Sequence, residues 1–442
     1  MKAMNMTEGK PIKLLFAFAL PLMLGNVFQQ GYVLVDSMIV GQGVGVTALA
    51  SVGAGDWINW MIIGLIQGFT QGFSVDVAQA YGENNDQRLK KSIYHSYVLS
   101  ALLIVSVTIL SLALLKPLLL LMKTPDNVIG GTLVYLRTMF SGIILITLYN
   151  LFACLLRGFG DSKTPLIAMV ISSIFNIIMD LVFIYIFHLG IFGAAFATVL
   201  SQGLSALICY LSFRKIIKVE RKQKIEKEYI RHLFTLGGPI SLQNIIISIG
   251  GMIVQSVVNG YGLVFIAGFT ATNKLYGILE IAGISFGYGI CTYVGQNLGA
   301  KKIQRIKEGI HVGILFSIVI SLTISACMIL FGKNIVGLFV ESGSTNYRDV
   351  VNVAYHYLFI MSIFLPILYF LHLYRNALQG LGNTFIPMVS GFIEFGMRVF
   401  AALALPIMMG ENGIFYAEIL AWTGSMVLLT FSYYREIGRM KK

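Results

Sequence analysis

Twelve apolar segments of about 20 residues or more recur along the chain, and polar loops that carry most of the charges separate them. About 20 apolar residues in a helix span the roughly 30 Å hydrocarbon core of a bilayer. The pattern therefore predicts twelve membrane-spanning helices. They are expected near 14–40, 46–80, 92–115, 128–153, 164–187, 191–213, 233–259, 262–297, 309–331, 350–374, 385–408 and 412–434. Glycine and proline interrupt the first two segments and their later counterparts, which predicts bent helices there.

Composition supports the same class of protein. Of the 442 residues, 57% are hydrophobic and 12% are charged, whereas soluble proteins carry roughly 25% charged residues. The segments lack the alternation of apolar and polar residues that a membrane β-barrel requires, and they are too apolar for one. We therefore predict an all-α integral membrane protein.

The basic residues predict the orientation of the helices. Of the 32 lysines and arginines, 25 lie at the two termini or in loops on their side, 5 lie on the opposite side, and Lys274 and Arg398 lie within helices. Basic loops stay in the cytoplasm, so both termini are predicted to be cytoplasmic, with the protein in the inner (cytoplasmic) membrane. The net charge of +12 then reflects orientation and contact with anionic lipids, not a nucleic-acid partner.

The chain contains an internal repeat with an offset of about 220 residues. The matched pairs are LPLMLGN (20–26) with GPISLQN (238–244), VAQAYGENNDQRLKK (77–91) with VGQNLGAKKIQRIKE (294–308), RGFGDSKTP (157–165) with QGLGNTFIP (379–387), and GIFGAAFA (190–197) with GIFYAEIL (413–420). Six helices in each half, an even number, give both halves the same orientation and therefore parallel repeats. We predict an N-terminal lobe at 1–213, a charged cytoplasmic linker at 214–232 and a C-terminal lobe at 233–442.

Acidic residues inside two apolar segments are the most informative polar residues. Asp180 lies in the fifth segment with Asn176 four residues earlier, so that both side chains share one helix face. Asp36 lies in the first segment. A carboxylate at membrane depth costs about 2.5–3.5 kcal/mol on insertion scales, so it normally faces a polar cavity or a partner. These residues predict a proton or small-cation site, although capping of a neighbouring helix or bonding to a buried Ser or Tyr is the alternative.

The whole chain resembles the multidrug and toxic compound extrusion family. The resemblance rests on LPLMLGN and VDSMIVGQ in the first segment, QAYGENNDQRLKK after the second, RGFGDSKTP after the fourth, SSIFNIIMD in the fifth, GAAFAT in the sixth, and the copies in the second half. It implies a V-shaped pair of six-helix bundles with a central cleft, which exports lipophilic organic cations against H⁺ or Na⁺. It also implies a coupling site in the first lobe, formed by Asp36, Asn176, Asp180 and Thr198. Carboxylate, amide and hydroxyl oxygens suit hard cations.

The second half departs from one branch of that family. Branch members that bind sodium in the second lobe carry acidic residues on the seventh and tenth helices, and this chain has none in ISLQNIIISIGGMIVQSVV or FIMSIFLPILYFLHLYRNAL. We therefore expect coupling, if present, to belong to the first lobe. The four side chains there suit either H⁺ or Na⁺, so the ion stays open.

Polar, aromatic and methionine side chains on the predicted cleft helices are candidates for drug contact, because aromatic faces and methionines suit varied lipophilic cations. The candidates are Gln29, Tyr32, Tyr135, Met139, Asn150, Met169, Gln243, Gln255 and Glu280. The same residue types are more often core or lipid-facing. Glu280 fits equally a cavity that attracts cations and a buried hydrogen bond to Ser or Tyr.

Three further charged residues have structural interpretations. Glu394 and Arg398 lie four residues apart, in the order that favours an ion pair within one helix. Glu418 can join this pair.

Asp56 corresponds to Lys274 in the repeat, so the two form a possible gate pair across the cleft, or two unrelated charges at the helix entrances.

Other function classes have less support. The six histidines show no metal spacing, no GxxxxGK[ST] motif indicates direct ATP drive, and no nucleophile–base pair indicates an enzyme. The four cysteines lie in apolar runs without CxxC and are expected in the core. The alternative transporter is a flippase for lipid-linked sugars or precursors, which would need several cavity arginines for a pyrophosphate. We predict a monomer without cofactor or metal, apart from H⁺ or Na⁺ as the coupling ion.

Overall fold

The computed structural model describes residues 4–122, 124–217, 224–338 and 346–440, and within these ranges the protein is helical without a strand. The α-helices are α1 (Pro11–Gly43), α2 (Val46–Gly82), α3 (Asp86–Leu121), α4 (Asp126–Ser141), α5 (Ile143–Gly158), α6 (Lys163–Leu181), α7 (Gly190–Ile216), α8 (Lys227–Val258), α9 (Leu263–Leu279), α10 (Ile281–Gly299), α11 (Ile303–Gly337), α12 (Tyr347–Gly380), α13 (Phe385–Met409) and α14 (Tyr416–Arg439). A π-helical turn at Val182–Ile186 extends α6, and a 3₁₀ segment at Gly410–Phe415 joins α13 to α14.

The helices confirm twelve membrane crossings. In the described part of the chain, ten helical stretches are long and apolar enough to span a bilayer, and the bent pair α4 and α5 forms an eleventh. One of the ten, Phe385–Arg439, has 55 residues and contains two helices, α13 and α14. A single helix of that length would be far longer than the roughly 30 Å hydrocarbon core, so this stretch supplies two crossings.

The spans break at positions that differ in part from the predicted bends. Within the first and second spans, α1 and α2 each run without a break, and α1 contains Pro21 in its interior. The fourth span instead breaks at Gly142, where α4 and α5 meet at 51°. A Cβ at Gly142 would lie 2.5 Å from the Val199 side chain, so the bend depends on close packing against α7. The eighth span breaks at Glu280, between α9 and α10, as its glycines had indicated.

The chain forms two compact units. The first contains Met1–Glu8, Leu20–Ser241 and Gly299–Lys301, and the second contains Gly9–Ala19, Leu242–Leu298 and Lys302–Lys442. Of the predicted linker 214–232, residues 218–223 lie outside the described part of the chain. The described part of the predicted linker is mostly helical, because α7 continues to Ile216 and α8 begins at Lys227. The predicted domain limits stay a prediction.

Each unit contains part of a helix that the repeat assigns to the other half. The start of α1, within Gly9–Ala19, packs in the second unit, and the first part of α8, up to Ser241, packs in the first. There α8 crosses α2 at very short range. A Cβ at Gly68 would meet the Ser241 backbone, and a Cβ at Gly72 would lie 2.5 Å from Gly237 Cα and N. Small residues spaced four apart allow such close helix packing in membranes.

Replacement of Gly72 by alanine should destabilise this crossing. Because the added methyl group would meet backbone atoms of Gly237, the helices would have to separate, and overpacking of this kind costs about 1–3 kcal/mol. Gly53 is a matched control, because it lies on the same helix with no atom within 4 Å of the added Cβ. Gly53→Ala should leave stability unchanged or raise it by up to about 1 kcal/mol. Thermal unfolding of the purified protein in detergent compares the two variants, and equal melting temperatures would contradict the packing argument.

Candidate functional site

The two candidate coupling acids of the first unit come together. Asp36 lies on α1, and Asp180 is the penultimate residue of α6. Their carboxyl groups interact side chain to side chain, although no hydrogen bond of ordinary geometry joins them. Two neighbouring carboxylates repel each other unless a proton or a cation lies between them. The pair therefore suits reversible loading with a positive charge.

Several polar atoms at this position lack hydrogen-bond partners. Asn176 and Asp180 are both 0% exposed, and neither the amide of Asn176 nor either carboxylate oxygen of Asp180 has a hydrogen-bond partner. One oxygen of Asp36, Oδ1, is also buried without one. Buried polar atoms in proteins are normally hydrogen-bonded, and exceptions concentrate where a ligand or proton binds. These atoms supply oxygen ligands of the kind that a hard cation takes.

Thr198 contributes less directly. Its hydroxyl lies on α7 and donates a hydrogen bond to the carbonyl oxygen of Ala194, at 3.1 Å. The hydroxyl oxygen can still accept a proton or contact a cation, because a hydroxyl carries two acceptor lone pairs. The residue types of the set therefore fit either H⁺ or a small cation. Among the described residues, no three His, Cys, Asp or Glu side chains cluster as metal ligands.

An apolar cluster adjoins the acids on one side. Its members are Ile39, Val40, Ala48, Ile184 and Ala194. Val40, Ile184 and Ala194 each lie four residues from a site residue, namely Asp36, Asp180 and Thr198. Side chains four apart on a helix are neighbours, so the cluster closes one end of the polar site to water.

The π-helical turn directly follows Asp180 and packs against the end of α1. A Cβ at Gly43 would lie 2.6 Å from Ile184 Cγ2 and 3.0 Å from the Tyr185 ring, so only glycine permits this approach. Single π-helical turns occur frequently at functional sites. The turn thereby links the end of α1 to the helix that carries Asp180.

Two tyrosines and a third acid surround the pair electrostatically. The phenol groups of Tyr32 and Tyr135 both lie within reach of the charges of Asp36 and Asp180. The charge of Asp56 on α2 reaches Asp36 and Tyr135. The predicted gate partner of Asp56, Lys274, has an exposed side chain on α9. Their pairing stays a prediction.

The remaining drug-contact candidates differ in burial. In the first unit, Met139 is buried in an apolar cluster that also contains Tyr135, Asn150 donates to the Ile146 carbonyl at 2.9 Å, and Met169 is half-buried. In the second unit, Gln243 is 1% exposed, while Gln255 donates to the side chain of Asn259 at 2.9 Å. Gln29 and Tyr32 are half-buried.

The second unit contains a buried ionic network that is larger than the predicted pair. Arg398 contacts Glu394 at 3.1 Å and Glu418 at 2.8 Å, and it donates to the Ile247 carbonyl at 3.3 Å. Arg375 contacts the other oxygen of Glu394 at 2.6 Å. The charge of Glu280 interacts with the charges of Glu394, Glu418 and Arg398 in this network.

Three expectations from the sequence are corrected here. Arg375 was assigned to a loop, yet it is 9% exposed within α12, because that helix continues to Gly380 and Glu394 neutralises the guanidinium. Lys274, expected to be buried, is exposed. Of the four cysteines expected in the core, Cys154, Cys209 and Cys291 are buried, but Cys327 is exposed on α11 because its apolar surroundings form an outer helix face.

Comparisons with known proteins agree with this architecture. The family model described as MatE matches residues 21–182 and 239–403. The probable multidrug resistance protein YoeA of Bacillus subtilis is 29% identical over 445 residues, with 96% of this chain and 94% of the relative covered. The probable multidrug resistance protein YpnP of the same organism is 29% identical over 446 residues, with 100% and 98% covered.

A solved structure shares the fold. The MOP superfamily transporter from Pyrococcus furiosus superposes with a TM-score of 0.92 at 24% identity, covering 100% of this chain and 99% of that chain. The family model spans most of the sequence, including both halves of the repeat. The chain therefore belongs to the MatE family of multidrug efflux transporters.

Proposed function

We propose that this protein is a secondary active exporter that moves lipophilic organic cations out of the cell in exchange for H⁺ or Na⁺, by alternating access. The supporting observation is the pair of carboxyl groups at Asp36 and Asp180, which face each other without a neutralising partner. A carboxylate at membrane depth is costly, so such residues usually mark proton or ion pathways. A passive scaffold would have no use for two of them.

The mechanism begins when Asp36 and Asp180 take up a proton or a sodium ion from outside. The positive charge removes the repulsion between the two carboxyl groups and engages Asn176, with Thr198 adding a hydroxyl oxygen. Asp36 then draws closer to α6, which shifts α1 against the π-helical turn. Because Tyr32 lies on α1 one turn from Asp36, the same movement changes the contacts available to a bound drug and lowers its affinity.

The second candidate is export of a lipid-linked precursor by a flippase of a related superfamily. A pyrophosphate would need arginines that are free to bind it. Both buried arginines of the second unit, Arg375 and Arg398, already contact glutamates at 2.6–3.1 Å. This engagement favours a cationic cargo over an anionic one.

The placement of basic residues supports an inner-membrane location with both termini in the cytoplasm. On that side the lysines and arginines would contact anionic lipid headgroups. We propose that the protein acts as a monomer, because the coupling residues all lie within one unit of one chain. Small lipophilic cations are its proposed cargo.

Reconstitution in liposomes tests transport and ion choice together. The purified protein is incorporated with a fluorescent lipophilic cation, and a proton gradient and a sodium gradient are imposed separately. We expect dye movement under one gradient and none without a gradient, because a secondary transporter draws its energy from the ion. Equal dye movement with and without gradients, or none in any condition, would contradict the proposal.

A further inference from the structure

A second buried aspartate organises a polar cluster at the end of α2. Asp76 is 0% exposed, and it accepts hydrogen bonds from the Tyr229 hydroxyl at 2.7 Å and from Arg88 Nη2 at 3.0 Å. His232 Nε2 lies 3.3 Å from the same carboxylate. Arg88 also pairs with Glu83. The cluster therefore joins α2 and α3 to the first turns of α8 through one neutralised carboxylate.

A second layer extends the same connection. Lys91 Nζ on α3 lies 2.5 Å from Glu226 Oε2, next to the start of α8. The hydrogen bond from Lys91 lowers the pKa of the Glu226 carboxyl below its ordinary value, so the ion pair is formed at neutral pH. The backbone N–H of Glu226 donates to His95 Nε2 at 3.0 Å, and the His95 ring lies 4.9 Å from the Tyr229 ring. We call this set of residues the acidic clasp; its members are Asp76, Glu83, Arg88, Lys91, His95, Glu226, Tyr229 and His232.

The repeat places a matching arrangement in the second unit. At the offset of 217 residues given by the loops after the second and eighth spans, Arg88 corresponds to Arg305 and Asp76 to Tyr293. Arg305 Nη2 donates to the Gly9 carbonyl at 2.9 Å, and its Nε donates to Asn297 at 3.1 Å. Tyr293 donates to the Arg305 carbonyl at 3.0 Å. Equivalent arginines thus hold different partners with different chemistry.

Both arrangements hold the beginning of the leading helix of the opposite half. Arg305, in the second half, holds Gly9, which lies just before α1. The acidic clasp, in the first half, holds the start of α8. The start of α1, up to Ala19, belongs to the second compact unit, and the start of α8, up to Ser241, belongs to the first. The glycine crossing of α2 and α8 continues the contact to Ser241, whose hydroxyl donates to the Leu65 carbonyl at 2.7 Å.

We propose that Asp76 is a positioning residue for transport, and that the acidic clasp keeps the first part of α8 fixed to the first unit throughout the export cycle. This inference rests on the proposed exporter function. A fixed start of α8 means that any movement of its remainder, which belongs to the second unit, is transmitted through one continuous helix. Movement in the second unit then acts on the unit that contains Asp36 and Asp180.

The extent of the contact favours a permanent anchor over a releasable lock. From Glu226 to Ser241, one ion pair, three hydrogen bonds to the side chains of His95 and Asp76, and one to the Leu65 carbonyl hold α8 and the residue before it. The Phe69–Phe234 ring contact at 5.3 Å and the backbone crossing add to them. Release of α8 would take Tyr229 and His232 away from Asp76 and leave Arg88, on α3, as its ion-pair partner. Lost hydrogen bonds to a buried carboxylate are costly, and each cycle would have to supply that free energy.

Cross-linking distinguishes a permanent anchor from a releasable lock. In a protein whose four cysteines are replaced by serine, Lys91→Cys and Glu226→Cys place two thiols at the ion pair, which a short cleavable bis-thiosulfonate can join. An exposed ion pair contributes little stability, so its replacement should be tolerated. With Asp76 intact, we expect the cross-linked protein to export dye within about twofold of the unlinked protein. Adding Asp76→Ala should reduce export about tenfold, equivalent to about 1.4 kcal/mol, with unchanged dye affinity, and cross-linking should restore it.

A releasable lock, which would have to open in each cycle, predicts the opposite results. Loss of export on cross-linking with Asp76 intact would overturn the anchor, and so would full export by the unlinked Asp76→Ala protein. Tyr229→Phe, which keeps the ring and loses the 2.7 Å hydrogen bond, replaces Asp76→Ala if that variant does not fold. Its smaller loss of export should also be restored by the link. A protein with cysteines in place of Asp86 and Lys90, which both lie on α3, serves as the control for effects of the cross-linking reagent itself.

The protein with cysteines at 91 and 226 also distinguishes failure of the anchor proposal from failure of the proposed exporter function. The rate of cross-linking at 91 and 226 is measured with a proton gradient, with a sodium gradient, with dye and with none. A fixed anchor gives one rate in all four conditions, and a rate that changes more than about threefold overturns it. Because this measurement needs no transport, it stands even if the parent protein moves no dye, an outcome that would contradict only the exporter function.

Discussion

Replacement of Asp180 by asparagine should abolish ion-driven export while the protein folds as well as before. The substitution keeps the shape of the side chain and removes the charge that attracts the coupling ion. We expect export in liposomes to fall on the order of 100-fold, as for loss of an interaction that the rate-limiting state requires. Stability should stay equal or rise, because both carboxylate oxygens of Asp180 are buried without hydrogen bonds and the variant no longer buries a charge.

A matched substitution distinguishes this effect from a general loss of negative charge. Asp349 is exposed in the first turn of α12, and Asp349→Asn makes the same chemical change away from the coupling site. That variant should export at the parent rate. Retention of gradient-driven export by Asp180→Asn would eliminate Asp180 as the coupling group, whatever its melting temperature.

The largest loss of stability should follow replacement of Arg398 by alanine. This guanidinium contacts Glu394 and Glu418 and donates to the Ile247 carbonyl. Its loss removes the cation from Glu418 and leaves Glu394 paired with Arg375 alone. Removing one partner of a buried ion pair costs about 3–5 kcal/mol, because a buried charge is left uncompensated. Unfolding of the purified protein by heat or denaturant in detergent measures the difference.

Two further variants test the electrostatic reason. Arg398→Lys keeps the charge but cannot reach both glutamates with a planar fork, so its loss of stability should be intermediate. Combining Arg398→Ala with Glu418→Gln removes one of the stranded charges and should recover part of the stability. If the double variant were less stable than Arg398→Ala alone, lost packing rather than charge would explain the effect.

The spans could be predicted from sequence, and so could a bend in the eighth span, whereas the break in the fourth span could not. A bilayer requires every spanning segment to be apolar and to satisfy its own backbone, so hydropathy alone locates the helices. The bend at Gly142 depends instead on Val199, which packs against it from α7. Such a contact between distant positions leaves no periodic signal.

The arrangement of the residues proposed for coupling was predictable to a similar degree. The spacing of Asn176 and Asp180 gives a shared helix face directly, but the meeting of Asp180 with Asp36 on α1 rested on family resemblance. Arg375 was missed because its partner Glu394 lies 19 residues away on another helix. Asp76 was missed too, although an acid within the apolar run FSVDVA was a visible signal. Its partners at Tyr229 and His232 lie 153 and 156 residues away.

The exchange of helix beginnings between the two units has a consequence for biosynthesis. Gly9–Ala19 is translated well before the residues that it packs with, which begin at Leu242. At roughly 5–20 residues per second, this segment must wait on the order of tens of seconds for them. The start of α8, in contrast, finds its partners already inserted in the membrane. The packing of Gly9–Ala19 should therefore be completed later than that of α8.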